Sequence, residues 1–532
     1  MATADVSALQ RAFDAARSTG DFTSALNELR ESWPQMVSTA GASLRGMLDC
    51  TPDELWHNDP WLVTGYATSF RSVDSTSRTT ALPYFEAAFA LLTPETPAFV
   101  RATLFVRYAA ALRSLGRLND ALAAIASASA IADSRDVIPL ARRVPLTAEI
   151  ALHRGAIAFH GGDFDRAKAD FRLAGSLAET NLSLANQLEV FGCLALIQLL
   201  MGDFEHALSY IARAESAGAS PSLRNSKFNA PALISELLIG VMQNGTDSSG
   251  PLVARVHEAT QESDWEPLGL YAEAFTELFV GNAHEGLEKL RQALLSLDEW
   301  QPAGFADSAI RGLRAAALLQ LGDSGSAWEL LANLAPTQHH VVCPNRLIAH
   351  LRFVTGDARG ALDALRECES LGDNHSSRTL TDVFLVKAAA HLTLGGEEQS
   401  SVAFDRALRL AARNRMHSPF RLIPSEVVQE MLTRAATRSQ PLEVGALIKR
   451  LDGLTVILAP RDSLALSDRE RSIARELVRG SSSSEIAETL FISVNTVKSH
   501  LKSIYRKLGV TSRVEAIHKS RELGLQVDIT RD

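Results

Sequence analysis

The sequence predicts an all-α chain: a helical-repeat superhelix followed by a small C-terminal domain of four helices. Three observations predict it. Glycines recur about every forty residues between Ala- and Leu-rich segments, the last seventy residues carry a series of helix-start signals, and the apolar residues, 46% of the total against 6% aromatic, are largely Ala and Leu. A chain of 532 residues is too long for one hydrophobic core, so two or more domains are expected.

The body is expected to span residues 1–435. Within it, stretches such as RYAAALRSLGRLNDALAAI, RGAIAFHGGDFDRAKADF, ALIQLLMGDFEHALSYI, RAAALLQLGDSGSAWELL and HLRFVTGDARGALDAL share one plan. A helical segment ends at a glycine, and an apolar residue with an Ala-Leu-like pair follows. The turn glycines are Gly116, Gly162, Gly202, Gly245, Gly281, Gly322, Gly356 and Gly395. Glycine supplies the left-handed turn that folds the second helix back on the first, and small residues such as Ala110, Ala121, Ala207 and Ala361 let the pair approach closely. One such pair cannot bury its own apolar face, so successive pairs are expected to stack into a superhelix with a concave surface.

A connector is expected over residues 436–464, where Pro441, Gly453 and Pro460 interrupt helices and leave the following domain able to change position. The C-terminal domain, residues 465–532, begins with Ser467 and Glu470, the spacing of a capping box, ahead of Ile473, Leu477 and a stop at Gly480. Ser482 and Glu485 open a second, shorter helix through Ile486, Ala487 and Leu490. Phe491 and Ile492 form a tight turn, and Ser493 caps a third helix. In that helix Val497, Leu501, Ile504 and Leu508 make an apolar stripe, while Asn495, Lys498, Ser499, Lys502 and Arg506 repeat the spacing on the opposite side. Residues 493–513 hold five basic and no acidic side chains. Ser512 with Glu515 caps a fourth helix. A short helix, a tight turn and a longer basic helix, flanked by one helix on each side, make a helix-turn-helix unit whose third helix can enter a major groove.

Residues 466–517 resemble the LuxR-type helix-turn-helix domain, through LSDRERSIARELVRG, SEIAETLFIS, VNTVKSHLKSIYRKLGV and SRVEAI. The resemblance implies that Lys498, Ser499 and Lys502 face base edges and that Asn495, Thr496, His500 and Arg506 lie near phosphates. It also implies that the fourth helix, from Ser512 to about Leu523, is a dimer contact. The run Ser481–Ser484 departs from the family's usual mix of Asn and Lys there. The body resembles tetratricopeptide-like repeats, more closely those of MalT-like regulators, with MLDCTPDELWHNDPWLVTGYATSF similar to the opening of that repeat domain and NRMHSPFRLIPSEVVQEMLTRA similar to its end. Regulators of that kind carry an ATPase module with a GxxxxGK[ST] phosphate loop. No Gly-Lys-Ser or Gly-Lys-Thr occurs in this sequence, so ATP-gated assembly is not carried over.

Charge is unevenly placed: residues 462–532 carry +2 and the preceding 461 carry −11. An acidic body is repelled by DNA, which confines the expected contact to the basic helix and its neighbours. No apolar run is read as long enough for a membrane helix and no secretory signal is seen, so a cytoplasmic protein with no membrane partner is expected. Cys50, Cys193, Cys343 and Cys368 form no CxxC pair and are expected to be reduced and mostly buried. His339, His340 and Cys343 could offer metal ligands, but with no fourth donor at a recognisable spacing a solvated loop is expected, and no metal site is assigned. His153, His160 and His391 are read as hydrogen-bonded packing histidines. No catalytic constellation and no cofactor are expected, and the chain is not read as an enzyme.

Two functions remain. In the preferred one, a one-component transcriptional regulator binds a small-molecule effector in its repeats and double-stranded operator DNA through a homodimer, at least when on DNA; RNA polymerase is admitted as a further partner. In the alternative, the repeats bind a protein partner and the chain is a DNA-tethered scaffold without a small ligand. The effector-binding residues are not assigned.

Overall fold

The computed structural model of the chain describes residues 6–73, 79–134, 138–246, 249–298, 300, 304–452, 466, 468–508, 510 and 512–522. They fold as helices and short 3-10 turns, with no strand among the described residues. The all-α expectation holds. Two compact units form: residues 1–239, 249–272 and 293–307 make the first, and residues 240–248, 273–292 and 308–532 the second.

In the first unit, Ala98–Ser114 pairs with Leu118–Asp133, Leu140–Gly161 with Phe164–Asn181, and Leu184–Met201 with Phe204–Ser216. Each pair also packs on the next, through Leu118–Asp133 on Leu140–Gly161 and Phe164–Asn181 on Leu184–Met201. The second unit repeats the plan with Pro344–Val354 on Ala358–Ser370 and Ser377–Thr393 on Glu397–Asn414. This is the helical-repeat body anticipated from the glycine spacing. Ala110, Ala121, Ala207 and Ala361 are all buried.

All eight turn glycines have positive φ, between 72° and 100°. At Gly162 the chain turns left-handed, and the Asp163 N–H reaches back to the Ala158 carbonyl at 2.9 Å, satisfying an orphan acceptor of the finished helix. Asp163 then accepts from the Arg166 N–H at 3.1 Å and starts the next helix. Gly202–Asp203, Gly322–Asp323 and Gly356–Asp357 do the same, their aspartates accepting from His206, Ser326 and Gly360. So a Gly-Asp pair both ends one helix and caps its partner. The glycine half was legible; the aspartate stood in the same strings unread.

One helix, Leu184–Met201, is long and apolar enough by length and composition to cross a membrane, contrary to the sequence reading that no run approaches that size. It is 89% buried, and Asn186, Gln187, Glu189 and Gln198 lie within it, which is the environment of a core helix. In the expected connector, Leu442–Leu451 is a helix that starts directly after Pro441. Gly453 and Pro460 lie outside the described residues.

Candidate nucleic-acid interface

The C-terminal helices are Asp468–Val478, Ser483–Thr489, Val494–Leu508 and Arg513–Glu522. Ser467, the expected first cap, lies outside the described residues. The second cap is a reciprocal box: Glu485 N–H donates to Ser482 Oγ at 3.3 Å, and Ser482 N–H to Glu485 Oε2 at 2.6 Å. Ser493 accepts from the Thr496 N–H at 3.1 Å and Ser512 from the Glu515 N–H at 3.2 Å, so both later helices start where the sequence placed them. Between the second and third helices Phe491 takes φ +54° and Ile492 N–H returns to the Ala487 carbonyl at 3.0 Å, closing the turn.

Val497, Leu501, Ile504 and Leu508 are all buried, in one core with Ile473, Leu477, Ile486 and Ala516. Each such side chain contributes about 1.5–3 kcal/mol by leaving water, enough to fix the rotation of the third helix about its axis. That rotation turns Asn495, Thr496, Lys498, Ser499 and Lys502 outward, where all five are exposed, with His500 half-buried at the edge. Arg506 belongs to the same helix, but its side chain lies outside the described residues. The Thr496 hydroxyl is 2.8 Å from Ser493 Oγ and so takes part in the cap as well as facing solvent. Arg513 ties the fourth helix to the first turn by donating to the Ser481 carbonyl at 2.5 Å, and Arg469 donates to the Leu490 carbonyl at the tight turn. Neither of these supports was read from the sequence, since each joins residues more than twenty apart. Arg471 is buried: its Nη1 donates to the Leu466 carbonyl at 2.7 Å and the Gly322 carbonyl at 3.3 Å, with Nε 3.6 Å from Asp323.

A core-anchored helix presenting an amide, hydroxyls and two lysines beside a short helix and a tight turn defines a helix-turn-helix nucleic-acid-binding domain. Residues 464–520 match the family described as bacterial regulatory proteins, luxR family, and the chain carries a domain of that family at its C-terminus. Its relatives are transcriptional regulators. The transcriptional regulatory protein LnrK of Bacillus subtilis is 33% identical over 112 residues, 21% of this chain and 46% of that protein. The HTH-type transcriptional activator RamA of Corynebacterium glutamicum is 26% identical over 152 residues, 28% of this chain and 50% of that one. The chain thus spans about half the length of these relatives. Among solved structures, a chain of the APC/C hetero-tetramer Cut9-Hcn1 aligns over 84% of this chain and 97% of its own at 14% identity with a TM-score of 0.26, too loose an overlap to define the fold.

The first unit holds a buried ionic cluster that sequence reasoning missed. Arg113, with no exposed surface, pairs with Glu189 at 2.5 Å and Asp264 at 2.7 Å, and Arg71 reaches Glu189 at 3.4 Å. Burial opposes the Arg113 charge, but Asp264 and Glu189 outweigh it and hold the guanidinium above its usual range. His160 lies 3.8 Å from Asp264 and against Trp265 and Trp300. Burial, assisted by Arg113 and opposed by Asp264, pushes His160 down to about 3, so it is neutral. His153 is buried as expected, yet neither ring nitrogen has a hydrogen-bond partner, which corrects the reading of it as hydrogen-bonded. A narrow cavity of about 40 Å³ adjoins the cluster, walled by Arg71, Arg107, Asn186, Lys227, Phe228 and Asp264 among others. A second, open groove of about 450 Å³ is lined by Arg172, Glu179, Thr180, Leu194, Tyr210 and Arg213. Around residue 340 the solvated loop does not materialise: His340 and Cys343 are both buried.

Proposed function

We propose that the protein is a sequence-specific, DNA-binding transcriptional regulator of the cytoplasm, with a sensing body over residues 1–435, a connector over 436–464 and a DNA-binding domain over 465–532. The observation that carries this reading is the third helix of the C-terminal domain, whose apolar stripe is sealed into a core while its polar face is left exposed. On that face Lys498, Ser499 and Lys502 read base edges, and Asn495, Thr496, His500 and Arg506 hold phosphates.

One such helix covers only a few base pairs, so specificity calls for two copies on a two-part operator, spaced about one helical turn. The fourth helix supplies the pairing surface. Ile517 packs against the domain core, whereas Val514 is 77% exposed on the same helix, so Val514→Asp tests pairing without disturbing the fold. In the full-length chain that variant should bind operator without cooperativity and protect a single half-site in a footprint. Full-length, symmetrical protection by Val514→Asp would move the dimer contact elsewhere.

The repeats serve as the sensor, and the cavity beside Arg113 and Asp264 is the candidate pocket for a small polar effector. Supporting this is a set of charges that packing alone does not require: ion pairs taken out of water cost several kcal/mol each, roughly repaid at best by their partners. At about 40 Å³ the cavity holds only a few waters and must widen on binding, which gives an effector different affinities for two arrangements of the chain. Arg471, bonded to the Gly322 carbonyl beside Asp323, offers a contact through which the repeats of the second unit bias the DNA-binding domain. Trp265 is buried next to Asp264 and lies tilted against His160, so an effector in this cavity should change tryptophan emission. Screening charged metabolites by emission, with and without operator, should find one whose affinity DNA changes and whose signal Arg71→Ala abolishes. A true effector indifferent to Arg71→Ala would relocate the pocket. The open groove supports a second reading, a peptide segment of a protein partner laid across Arg172, Tyr210 and Arg213; co-purification that Tyr210→Ala disrupts, with no small-molecule response, would favour it.

A further inference from the structure

We propose that His340, Cys343, Cys368 and His375 form a tetrahedral zinc site within the second unit. All four side chains are buried, both cysteines completely. One donor atom from each lies within 4.8 Å of the other three. The Cys343 and Cys368 sulfurs are 3.4 Å apart, and Cys368 Sγ is 4.0 Å from His340 Nδ1. With Zn–S of about 2.3 Å and Zn–N of about 2.0–2.1 Å, a tetrahedron has donor–donor edges of about 3.3–3.8 Å. The cluster therefore needs only sub-ångström to ångström closure to surround an ion.

The chemistry of the donors points the same way. His375 Nδ1 lies 3.0 Å from the Ser376 carbonyl oxygen, which can only accept, so that nitrogen carries the proton. Nε2 is left with an unshared lone pair, buried and without a hydrogen-bond partner. A backbone carbonyl fixing one ring nitrogen while the other is free to ligate is the arrangement that supports metal-binding histidines. Cys343 caps the helix Pro344–Val354 and its sulfur accepts the Arg346 N–H at 3.4 Å, which stabilises a thiolate.

The backbone that carries these ligands is held in an uncommon shape. His339 and His340 have φ of +55° and +50°, the left-handed region that ordinary side chains avoid. That turn is tied to the start of the helix Ser377–Thr393: Ser376 N–H donates to the His339 carbonyl at 2.7 Å, Thr379 Oγ1 to the His340 carbonyl at 2.8 Å, and Arg378 to the Val341 carbonyl at 2.9 Å. Four protein donors leave no open position, so the ion staples this turn and the helices beside it and does not act on a substrate. A disulfide between the two sulfurs is the competing arrangement, but it leaves the two adjacent imidazoles without a role. The sequence hid the site because His340-x2-Cys343 and Cys368-x6-His375 are separated by a whole helical hairpin.

The test uses the full-length chain, purified under thiol-free reductant. Elemental analysis should find about one zinc per chain, and cobalt in its place should give a thiolate-to-metal charge-transfer band with the visible bands of a tetrahedral ion. Cys368→Ser and His375→Gln should lose both, while His339→Asn, beside the cluster but outside it, keeps them. If the ligand variants fail to fold, the parent chain still decides: chelation should lower the melting temperature and expose two further thiols to a thiol reagent, and added zinc should reverse both. A parent chain that takes up no zinc or cobalt, cobalt without a thiolate band, metal retained after Cys368→Ser, or a Cys343–Cys368 disulfide that persists whether or not zinc is supplied would each overturn the proposal.

Discussion

Replacing Arg113 by methionine should destabilise the first unit by about 3–5 kcal/mol, because Glu189 and Asp264 would lose the buried guanidinium that both of them pair with. Both carboxylates are almost fully buried, and Arg71 reaches Glu189 at 3.4 Å. The methionine fills much of the space, so the expected loss is electrostatic and owes little to a cavity. Arg117→Met is the matched control: its pair with Asp120 is about half exposed on both sides and should matter by about 0–1 kcal/mol. Denaturant midpoints read by tryptophan emission report the difference, since Trp33, Trp56, Trp61, Trp265 and Trp300 all lie in the first unit. Equal midpoints for Arg113→Met and the parent would mean that the cluster carries no net buried charge to uncover.

That cluster also shows where reading from sequence stops. Short-range signals were legible: Ser482 with Glu485, Ser493 and Ser512 each cap a helix as their spacing indicated, and the eight glycines each take the left-handed turn. These depend on residues three or four apart, whose geometry the helix itself sets. Burial of Val497, Leu501, Ile504 and Leu508 was legible for the same reason. Arg113, Glu189 and Asp264 come from three different repeats, separated by 76 residues in the first interval alone, and no periodicity links them. Cys343 and Cys368, read as unrelated thiols, meet at 3.4 Å because adjacent helices of a repeat hairpin bring them together. Similarly, Leu184–Met201 is apolar enough on average to pass for a membrane helix because neighbouring helices enclose it, a packing cause that its mean composition does not distinguish from a lipid one.

The DNA face carries the other large expectation. Lys498→Ala and Lys502→Ala should each remove about 1–3 kcal/mol of discrimination per half-site, flattening the preference between operator and unrelated sequence. Both lysines are exposed and neither belongs to the core that Val497, Leu501 and Ile504 build, so thermal stability should be unchanged and a loss of binding can be read as a loss of contact. Arg506→Ala should behave differently. As a phosphate contact it contributes to every sequence alike, so its removal should weaken specific and non-specific binding together and lower the slope of log K against log salt by about one per subunit. Titrations of operator and scrambled DNA at several salt concentrations separate the two signatures. If selectivity survives the double lysine variant while its salt slope falls by about two per subunit, then Lys498 and Lys502 hold phosphates, and sequence is read by Asn495 and Ser499 or by the deformability of the operator itself.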